Sequence, residues 1–283
     1  MPSLIDLRRR IRSVKNTQQV TKAMKMVSAA KVRRAQERVL AARPYATMFG
    51  QMLADVAAAI GQDEQIGQHP LLQRRPERRI LLVLLTSHRG LAGGYNSNLI
   101  RAAQSFIGEH TEAEVSLVTI GRKGRDFFRK RGANIVAERS DLVNVTFEDS
   151  LEIARDIAGR YEREEIDAAS IIGSNFKTLA SQELHVRKLL PFDLPTGAGR
   201  DYIYEQPPAE LLATLLPRYV EITLYQAMLE SAASEHAARM VAMEAATKNA
   251  GEVIDRLTLY MNRVRQASIT NEIIEVVSGA AAL

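Results

Sequence analysis

Residues 4–27, LIDLRRRIRSVKNTQQVTKAMKMV, begin a segment that runs from Ser3 to Arg43 without glycine or proline. Those two residues weaken a helix interior most, so their absence favours one long helix. Apolar residues recur in steps of mostly three and four, the spacing of one helical face. They are Leu4, Leu7, Ile11, Val14, Val20, Met24, Val27, Val39, Phe49, Leu53, Val56 and Ile60, with Thr17 and Gln18 as a polar interruption.

The C-terminal segment has the same character. Pro207 and Pro208 favour a helix start, and no proline follows Arg218. Pro44 in the first helix and Pro217 in the second predict kinks. At 1.5 Å per residue the two helices would be about 84 Å and about 99 Å long, which is unusual in a compact domain. Neither can bury its apolar stripe alone, so we expect them to pair as an antiparallel two-stranded coiled coil.

The middle of the chain alternates predicted strands and helices. Strands are expected at residues 79–86, 115–120, 133–137 and 168–172, and helices from Ser97, around 125–130 and over 147–161. This alternation predicts a small, mostly parallel, Rossmann-like α/β sheet, with residues 184–190 and 202–204 as further edge strands. The expected organisation is an N-terminal coiled-coil helix over 1–60, a linker over 61–76, a central α/β domain over 77–206 and a C-terminal coiled-coil helix over 207–283.

The net charge of +5 is concentrated at the N-terminus. Residues 1–43 hold twelve Lys and Arg but only two acidic residues, Asp6 and Glu37. Such a helix could bind nucleic acid through its phosphates, lie on an anionic membrane or face an acidic protein. No aromatic residue precedes Tyr45, which removes both stacking platforms for bases and aromatic membrane anchors. An acidic protein partner fits this pattern best.

No catalytic or metal-binding pattern stands out. The chain has no cysteine, no i, i+4 pair among its five histidines and no Gly-x-Ser-x-Gly motif. The segment RGLAGGYN, residues 89–96, follows a predicted strand, but its glycine spacing fits neither a dinucleotide fingerprint nor a P-loop. A tight strand-to-helix turn that needs positive φ is the better interpretation. The longest apolar run, Ile80–Leu85, is too short to span a membrane, and MPSLIDLRRR lacks the apolar core of a secretory signal.

The C-terminal end is apolar. Ile273, Ile274, Val276 and Val277 precede the small residues of 279–283. If the second helix extends past the start of the first by about 15 Å, or ten residues, this end would need an apolar socket on a partner. A frayed terminus is the alternative.

Several longer motifs occur in order along the chain: IRSVKNTQQVTKAM at 11–24, VSAAK at 27–31, RGLAGGYN at 89–96, SEHAARMVAMEAATKN at 234–249, RQASITNE at 265–272 and EVVSGA at 275–280. Over essentially its full length the chain resembles the gamma subunits, the central rotor shafts, of F-type rotary ATP synthases. The resemblance implies a central-stalk subunit of a proton-translocating complex, which couples c-ring rotation to ATP synthesis or hydrolysis in the beta subunits.

The resemblance also implies partners and a location. Three alpha and three beta subunits would surround the coiled coil, and the epsilon subunit and c-ring would contact the α/β domain. The chain would have no catalytic site, metal or cofactor of its own and no nucleic-acid partner. It would be peripheral at the cytoplasmic face of a bacterial cell membrane, reached only through the c-ring.

By the same resemblance, two groups of residues would face the beta-subunit levers. Met24 and the stretch of Arg265, Gln266 and Thr270 would contact them directly, and the acidic lever motif would pair with Lys22, Lys25, Lys31, Arg33 and Arg34. The tail from Ile273 to Leu283, including Val277, would be the shaft tip in its bearing. Tyr202, Tyr204 and Glu205 would rest on the c-ring and epsilon subunit.

The residues alone leave two other functions open. One is a freestanding α/β nucleotide-binding protein with helical arms, and the other is a nucleic-acid-binding coiled coil. Tight binding and turnover of ATP by the isolated chain would indicate the first, and a steep salt dependence of binding to duplex DNA would indicate the second.

Overall fold

The computed structural model describes residues 3–60, 69–139, 145–179, 181–192 and 205–281. The chain divides into two compact units. The helical unit comprises residues 1–29 and 239–283, and the α/β unit comprises residues 30–238. Two long helices, α1 (Leu4–Ile60) and α5 (Pro208–Ala281), contribute residues to both units.

The α/β unit contains the predicted alternation of strands and helices. Its strands are β1 (Arg79–Leu85), β2 (Glu114–Ile120), β3 (Ile135–Arg139), β4 (Ala168–Phe176) and β5 (Gln182–Leu190). The helices between them are α2 (Tyr95–Glu109), α3 (Arg122–Arg129) and α4 (Phe147–Glu162). A short 3-10 turn, Pro70–Leu72, precedes β1. Each predicted element over residues 79–190 is present, with ends that differ by a few residues.

The sheet has the strand order β3-β2-β1-β4-β5. β3, β2, β1 and β4 are parallel to one another, and the edge strand β5 is antiparallel to β4. This confirms the mostly parallel sheet and the edge strand predicted at 184–190, whereas the strand predicted at 202–204 lies outside the described residues. β4 is longer than predicted because β5 pairs with it as far as Phe176, opposite Gln182.

Both faces of the sheet are buried, which is why β1 is apolar at nearly every position. On one face, Leu82 and Leu84 pack with residues of α2 and α3, among them Leu99 and Phe128. The other face is covered by α4 together with residues 49–56 of α1 and 212–228 of α5. The α/β unit therefore uses parts of both long helices to complete its core.

The two long helices are antiparallel in each unit. In the helical unit Thr21 contacts Thr247 and Lys25 contacts Glu244. In the α/β unit Arg43 contacts Glu230. From Thr21 through Lys25 to Arg43 the contacted residue numbers on α5 decrease, which is the pattern of antiparallel helices. Each helix continues through its internal proline. These contacts confirm the predicted antiparallel helix pair.

The buried face of α1 differs from the predicted stripe. Val20 and Val27 are 58% and 57% exposed, so their assignment to the buried stripe was wrong. The inward positions instead continue the alternation of four and three residues that starts at Leu7. They are Ile11, Val14, Gln18, Thr21, Lys25, Ser28, Val32, Ala35 and Val39, each buried or half-buried. In a heptad repeat, positions separated by alternating steps of four and three residues all face the partner helix. The same positions therefore stay inward on α1 even where their residues are polar.

Candidate functional site

The helical unit pairs α1 with α5 through a run of polar side chains. Four successive inward positions of α1 are Gln18, Thr21, Lys25 and Ser28. Coiled-coil seams are usually apolar, and a polar residue in a seam specifies register at a cost in stability. The polar character of Gln18 is visible as an interruption of the apolar stripe in the sequence. The other three positions follow only when the heptad phase is carried forward from Leu7.

Hydrogen bonds across the seam define its register. The hydroxyl oxygens of Thr21 and Thr247 are 2.8 Å apart, and Gln18 Nε2 donates to the carbonyl oxygen of Thr247 at 3.3 Å. Gly251 faces the same glutamine, since a Cβ added there would lie 3.2 Å from Gln18 Nε2. A shift of one helix by a turn would break these bonds together, so this polar layer fixes which residues of α1 and α5 meet.

A groove of about 660 Å³ lies along this layer. Its lining carries three lysines, Lys22, Lys25 and Lys248, but only one carboxylate, Glu244. Lys25 Nζ lies 2.5 Å from Glu244 Oε1, so this pair is neutralised within the chain. The groove is therefore positively charged, chiefly through Lys22 and Lys248.

The structure brings some of the predicted contact residues together and separates others. Met24 is half-buried and Lys22 is exposed, both on the turn of α1 beside the groove. Arg265 follows Gly251 by 14 residues, or about 21 Å along α5. Gln266 and Thr270 are exposed near Arg265. The predicted contacts of α1 and of α5 are thus two separate surfaces of the helical unit.

Among the residues that the structure describes, no helix pairs with the end of α5. Given the register at Thr21 and Thr247, the start of α1 is level with about residue 265, and the last 16 residues of α5 extend about 24 Å further. This overhang is longer than the ten residues expected. Ile273 and Val277 are 58% and 62% exposed, so the tip presents apolar side chains along its surface.

The remaining predicted contact residues lie in the α/β unit. Lys31, Arg33 and Arg34 are exposed on α1. Arg33 Nε lies 3.3 Å from Glu37 Oε1, an exposed pair one helical turn apart. Glu205 is exposed, and Tyr202 and Tyr204 lie outside the described residues.

The glycine-rich segment 89–96 is a strand-to-helix turn. Leu91 and Gly93 have positive φ, at 62° and 56°, as the turn interpretation required. Asn96 Oδ1 accepts a hydrogen bond from the backbone N–H of Ser87 at 3.0 Å and lies 2.9 Å from its hydroxyl. The Asn96 side chain thereby ties the first turn of α2 to the residues that follow β1.

The described ranges also lack two kinds of feature. These residues contain no group of three or more His, Cys, Asp or Glu side chains that could hold a metal ion. Within the same ranges, no helix is long and apolar enough to cross a membrane.

An α/β sheet completed by two long antiparallel helices, with a cationic groove and an uncovered apolar helix end, defines the class of α/β proteins that carry a long helix pair. The family model described as ATP synthase matches residues 3–283. The chain is 59% identical to the ATP synthase gamma chain of Solibacter usitatus and 50% identical to that of Pelotomaculum thermopropionicum, covering 100% of this chain and 99% and 100% of theirs. The chain belongs to the ATP synthase gamma chain family.

Chains in two solved structures have a similar fold. A chain in the central stalk and c-ring structure of Tetrahymena thermophila mitochondrial ATP synthase is 25% identical, with a TM-score of 0.64 over 80% of this chain and 99% of that chain. A chain in the Euglena gracilis mitochondrial ATP synthase is 20% identical, with a TM-score of 0.68 over 99% of this chain and 94% of that chain. The second likeness concerns the fold alone.

Proposed function

We propose that this chain is the central-stalk rotor subunit of a proton-translocating F-type ATP synthase. In this role it couples rotation of the c-ring to ATP synthesis or hydrolysis in the beta subunits. Family membership supports the proposal, and the uncovered end of α5 is the structural observation that carries it. Ile273 and Val277 are apolar and mostly exposed, which calls for a partner that surrounds the helix end.

The coupling would operate through the shape of the rotor. A rotor can bias the nucleotide affinity of a beta subunit only if it contacts that subunit's conformations differently. The helical unit offers unlike surfaces around its axis: a cationic groove beside Lys22 and Lys248, and the exposed apolar residues Val20 and Val27 on α1. As the shaft turns, each beta subunit would meet these surfaces in succession.

We assign the contact residues to partners on the same basis. Three alpha and three beta subunits would surround the helix pair, and acidic levers of the beta subunits would face the cations of α1. Of the twelve Lys and Arg in residues 1–43, three form ion pairs within the described part of the chain, namely Lys25, Arg33 and Arg43. Lys22, Lys31 and Arg34 form no ion pair among the described residues, and we assign them to this acidic partner.

The α/β unit would form the foot of the rotor. Glu205, with Tyr202 and Tyr204, is proposed to contact the c-ring and the epsilon subunit. The chain would reach the cytoplasmic face of a bacterial membrane through the c-ring alone. The functional boundaries are proposed to lie at residues 60/61, 76/77 and 206/207, with residues 49–56 and 212–228 of the two shaft helices also packed in the core of the α/β unit. ATP chemistry would take place in the beta subunits, and this chain would have no catalytic site or cofactor of its own.

The test uses a complex assembled without its gamma subunit. Adding this chain to alpha, beta and the membrane sector should restore ATP-driven proton pumping. Assembly of the complex without restored pumping would overturn the proposal. Calorimetry of the isolated chain with ATP is the companion measurement: tight binding with turnover would indicate the nucleotide-binding alternative instead.

A further inference from the structure

β5 pairs with one edge of β4 as far as Phe176, but on the opposite edge the last residues of β4 are hydrogen-bonded to a helix instead of a strand. β1 pairs with β4 only as far as Leu84 opposite Ile172. Beyond that point, Ser231 Oγ of α5 accepts from the N–H of Ser174 at 3.2 Å, and Ser234 Oγ donates to the carbonyl oxygen of Ser174 at 3.1 Å. Side chains of α5 therefore take the place that a continued β1 would occupy.

Glu230 extends the same junction by two residues. Its carboxylate, with the side chain 5% exposed, accepts from the N–H of Phe176 at 2.8 Å. It also accepts from Arg43 of α1, from Nε at 2.9 Å and Nη2 at 3.1 Å. Arg43 Nη2 in turn donates to the carbonyl oxygen of Phe176 at 2.9 Å. One buried carboxylate thus joins α1, α5 and β4.

Close packing surrounds these bonds. A Cβ added at Gly173 would lie 3.0 Å from Ser231 Oγ and 3.1 Å from Leu85 Cδ1, so this glycine lets α5 approach the strand. Tyr95 of α2 adds a bond from its hydroxyl to the carbonyl oxygen of Ser231 at 3.0 Å. Three elements of the α/β unit therefore hold one turn of α5, besides its packing in the core.

Directionality gives these bonds a distinct mechanical role. Apolar contacts are non-directional, so by themselves they define the rotational setting of a helix less sharply than hydrogen bonds do. Hydrogen bonds weaken steeply with misalignment, and each buried group left without a partner costs about 1–3 kcal/mol. Turning α5 about its axis would misalign the bonds of Glu230, Ser231 and Ser234 at once.

We infer that Glu230, Ser231 and Ser234 are positioning residues that transmit torque between the sheet of the α/β unit and α5. This inference rests on the proposed rotor function. In that function the sheet is driven at the foot, and α5 continues from the junction to its end at Ala281 as one covalent helix. A junction held only by apolar packing would allow the helix to slip against the sheet under load.

The experiment compares variants in the reconstituted complete complex. The main variant is Ser231→Ala with Ser234→Ala, and the second is Glu230→Gln, which removes the carboxylate charge facing Arg43. The matched control is Asp167→Asn, because Asp167 is another buried carboxylate of the α/β unit, and its side chain bonds to Arg79 of β1, at 2.7 Å, instead of to α5. Ser231→Ala alone serves if either larger change prevents assembly.

Three quantities are measured: ATP hydrolysis, protons pumped per ATP hydrolysed, and thermal stability of the chain. We expect the junction variants to lower the pumping ratio roughly threefold or more, the scale of one lost hydrogen bond, while hydrolysis continues. The control Asp167→Asn should lower the thermal stability of the chain but leave the number of protons pumped per ATP unchanged. An unchanged ratio in the junction variants, or an equal fall in the control, would overturn the inference. Failure of the unmodified chain to support pumping would instead count against the proposed function.

Discussion

Thr21 of α1 and Thr247 of α5 meet across the helix pair with their hydroxyl oxygens 2.8 Å apart. Each hydroxyl also has an acceptor on its own helix, the carbonyl oxygen of Gln18 for Thr21 and of Met243 for Thr247. A hydroxyl has a single hydrogen, so one threonine donates across the seam and the other donates within its helix. The pair thus forms one polar layer whose members depend on each other.

This dependence predicts a non-additive mutant cycle. Thr21→Val or Thr247→Val alone should destabilise the chain by about 1 kcal/mol, because a partly buried hydroxyl loses its partner. The double variant should cost less than the sum of the singles, with a coupling energy of about 0.5–1.5 kcal/mol. Thermal unfolding of the full chain measures all three. Thr17→Val is the control, since Thr17 is exposed and its hydroxyl donates to the carbonyl oxygen of Ser13 within its own helix. Simple additivity would show that the two hydroxyls are not coupled.

A second prediction concerns Gly121, between β2 and α3. Its φ is +95°, and an added Cβ would lie 2.0 Å from the carbonyl oxygen of Thr86. Gly121→Ala should therefore destabilise the chain severely, by about 4 kcal/mol or more. Gly132 is the matched control because its φ is +68° but nothing lies within 4 Å of an added Cβ. Gly132→Ala should cost about 1–2 kcal/mol from the backbone alone. Urea unfolding measures both, and equal losses would refute the steric explanation.

A third prediction concerns acid stability and the Asp167–Arg79 pair. The side-chain hydrogen bond from Arg79 lowers the pKa of Asp167, with backbone bonds from Arg79 and Arg78 adding to the effect. A carboxyl with a lowered folded pKa contributes stability that is present above its unfolded pKa and is lost as pH falls through the folded pKa. Asp167→Asn should thus destabilise the chain by roughly 1–3 kcal/mol at pH 7, and the difference should shrink below about pH 4.

The measurement is urea unfolding of both proteins at several pH values between 7 and 3. Glu252→Gln is the control, because Glu252 is an exposed carboxylate whose removal should have little effect at any of these pH values. A difference between wild type and Asp167→Asn that stayed constant over this range would contradict the proposed linkage.

A fourth prediction tests the cations of α1. Arg33→Glu with Arg34→Glu should weaken coupling in the complex, because these exposed arginines would face acidic beta-subunit levers. The isolated chain should remain folded, since surface changes of this kind usually alter stability by no more than about 0.5 kcal/mol each. The ratio of protons pumped to ATP hydrolysed is the measurement. Arg9→Glu with Arg10→Glu is the control for charge, and an unaffected ratio in the Arg33 and Arg34 variant would exclude the counter-charge role.

A fifth prediction addresses the uncovered tip of α5. Ile273→Ser with Val277→Ser should leave thermal stability unchanged to within about 0.5 kcal/mol per site, because both side chains are mostly exposed. In the complex the same variant should reduce ATP-driven pumping if a partner surrounds the tip. Ile5→Ser is a comparable change at an exposed apolar position, 68% exposed, on α1. Loss of stability in the tip variant would show that the side chains have partners within this chain.

The amino-acid sequence by itself determined the local elements. The spacing of apolar residues and the positions of glycine and proline predicted the two long helices and the positions of the strands β1 to β5 along the chain. These signals act within a few residues, so they are readable without the tertiary structure. The glycine-rich turn was also predictable, since positive φ at Gly93 is a local requirement. The contact residues assigned by resemblance, such as Met24 and Ile273, stay predictions.

Only the tertiary structure decided which faces of these elements meet. The polar seam at Thr21, the ion pair that occupies Lys25 and the exposure of Val20 depend on the partner helix, more than 200 residues away in the chain. The bonds of Glu230 to Arg43 and to the end of β4 likewise join residues that no local pattern relates. Periodicity marks where a helix has an apolar side, whereas the phase of contact is set by long-range packing and by the pairing of buried polar groups.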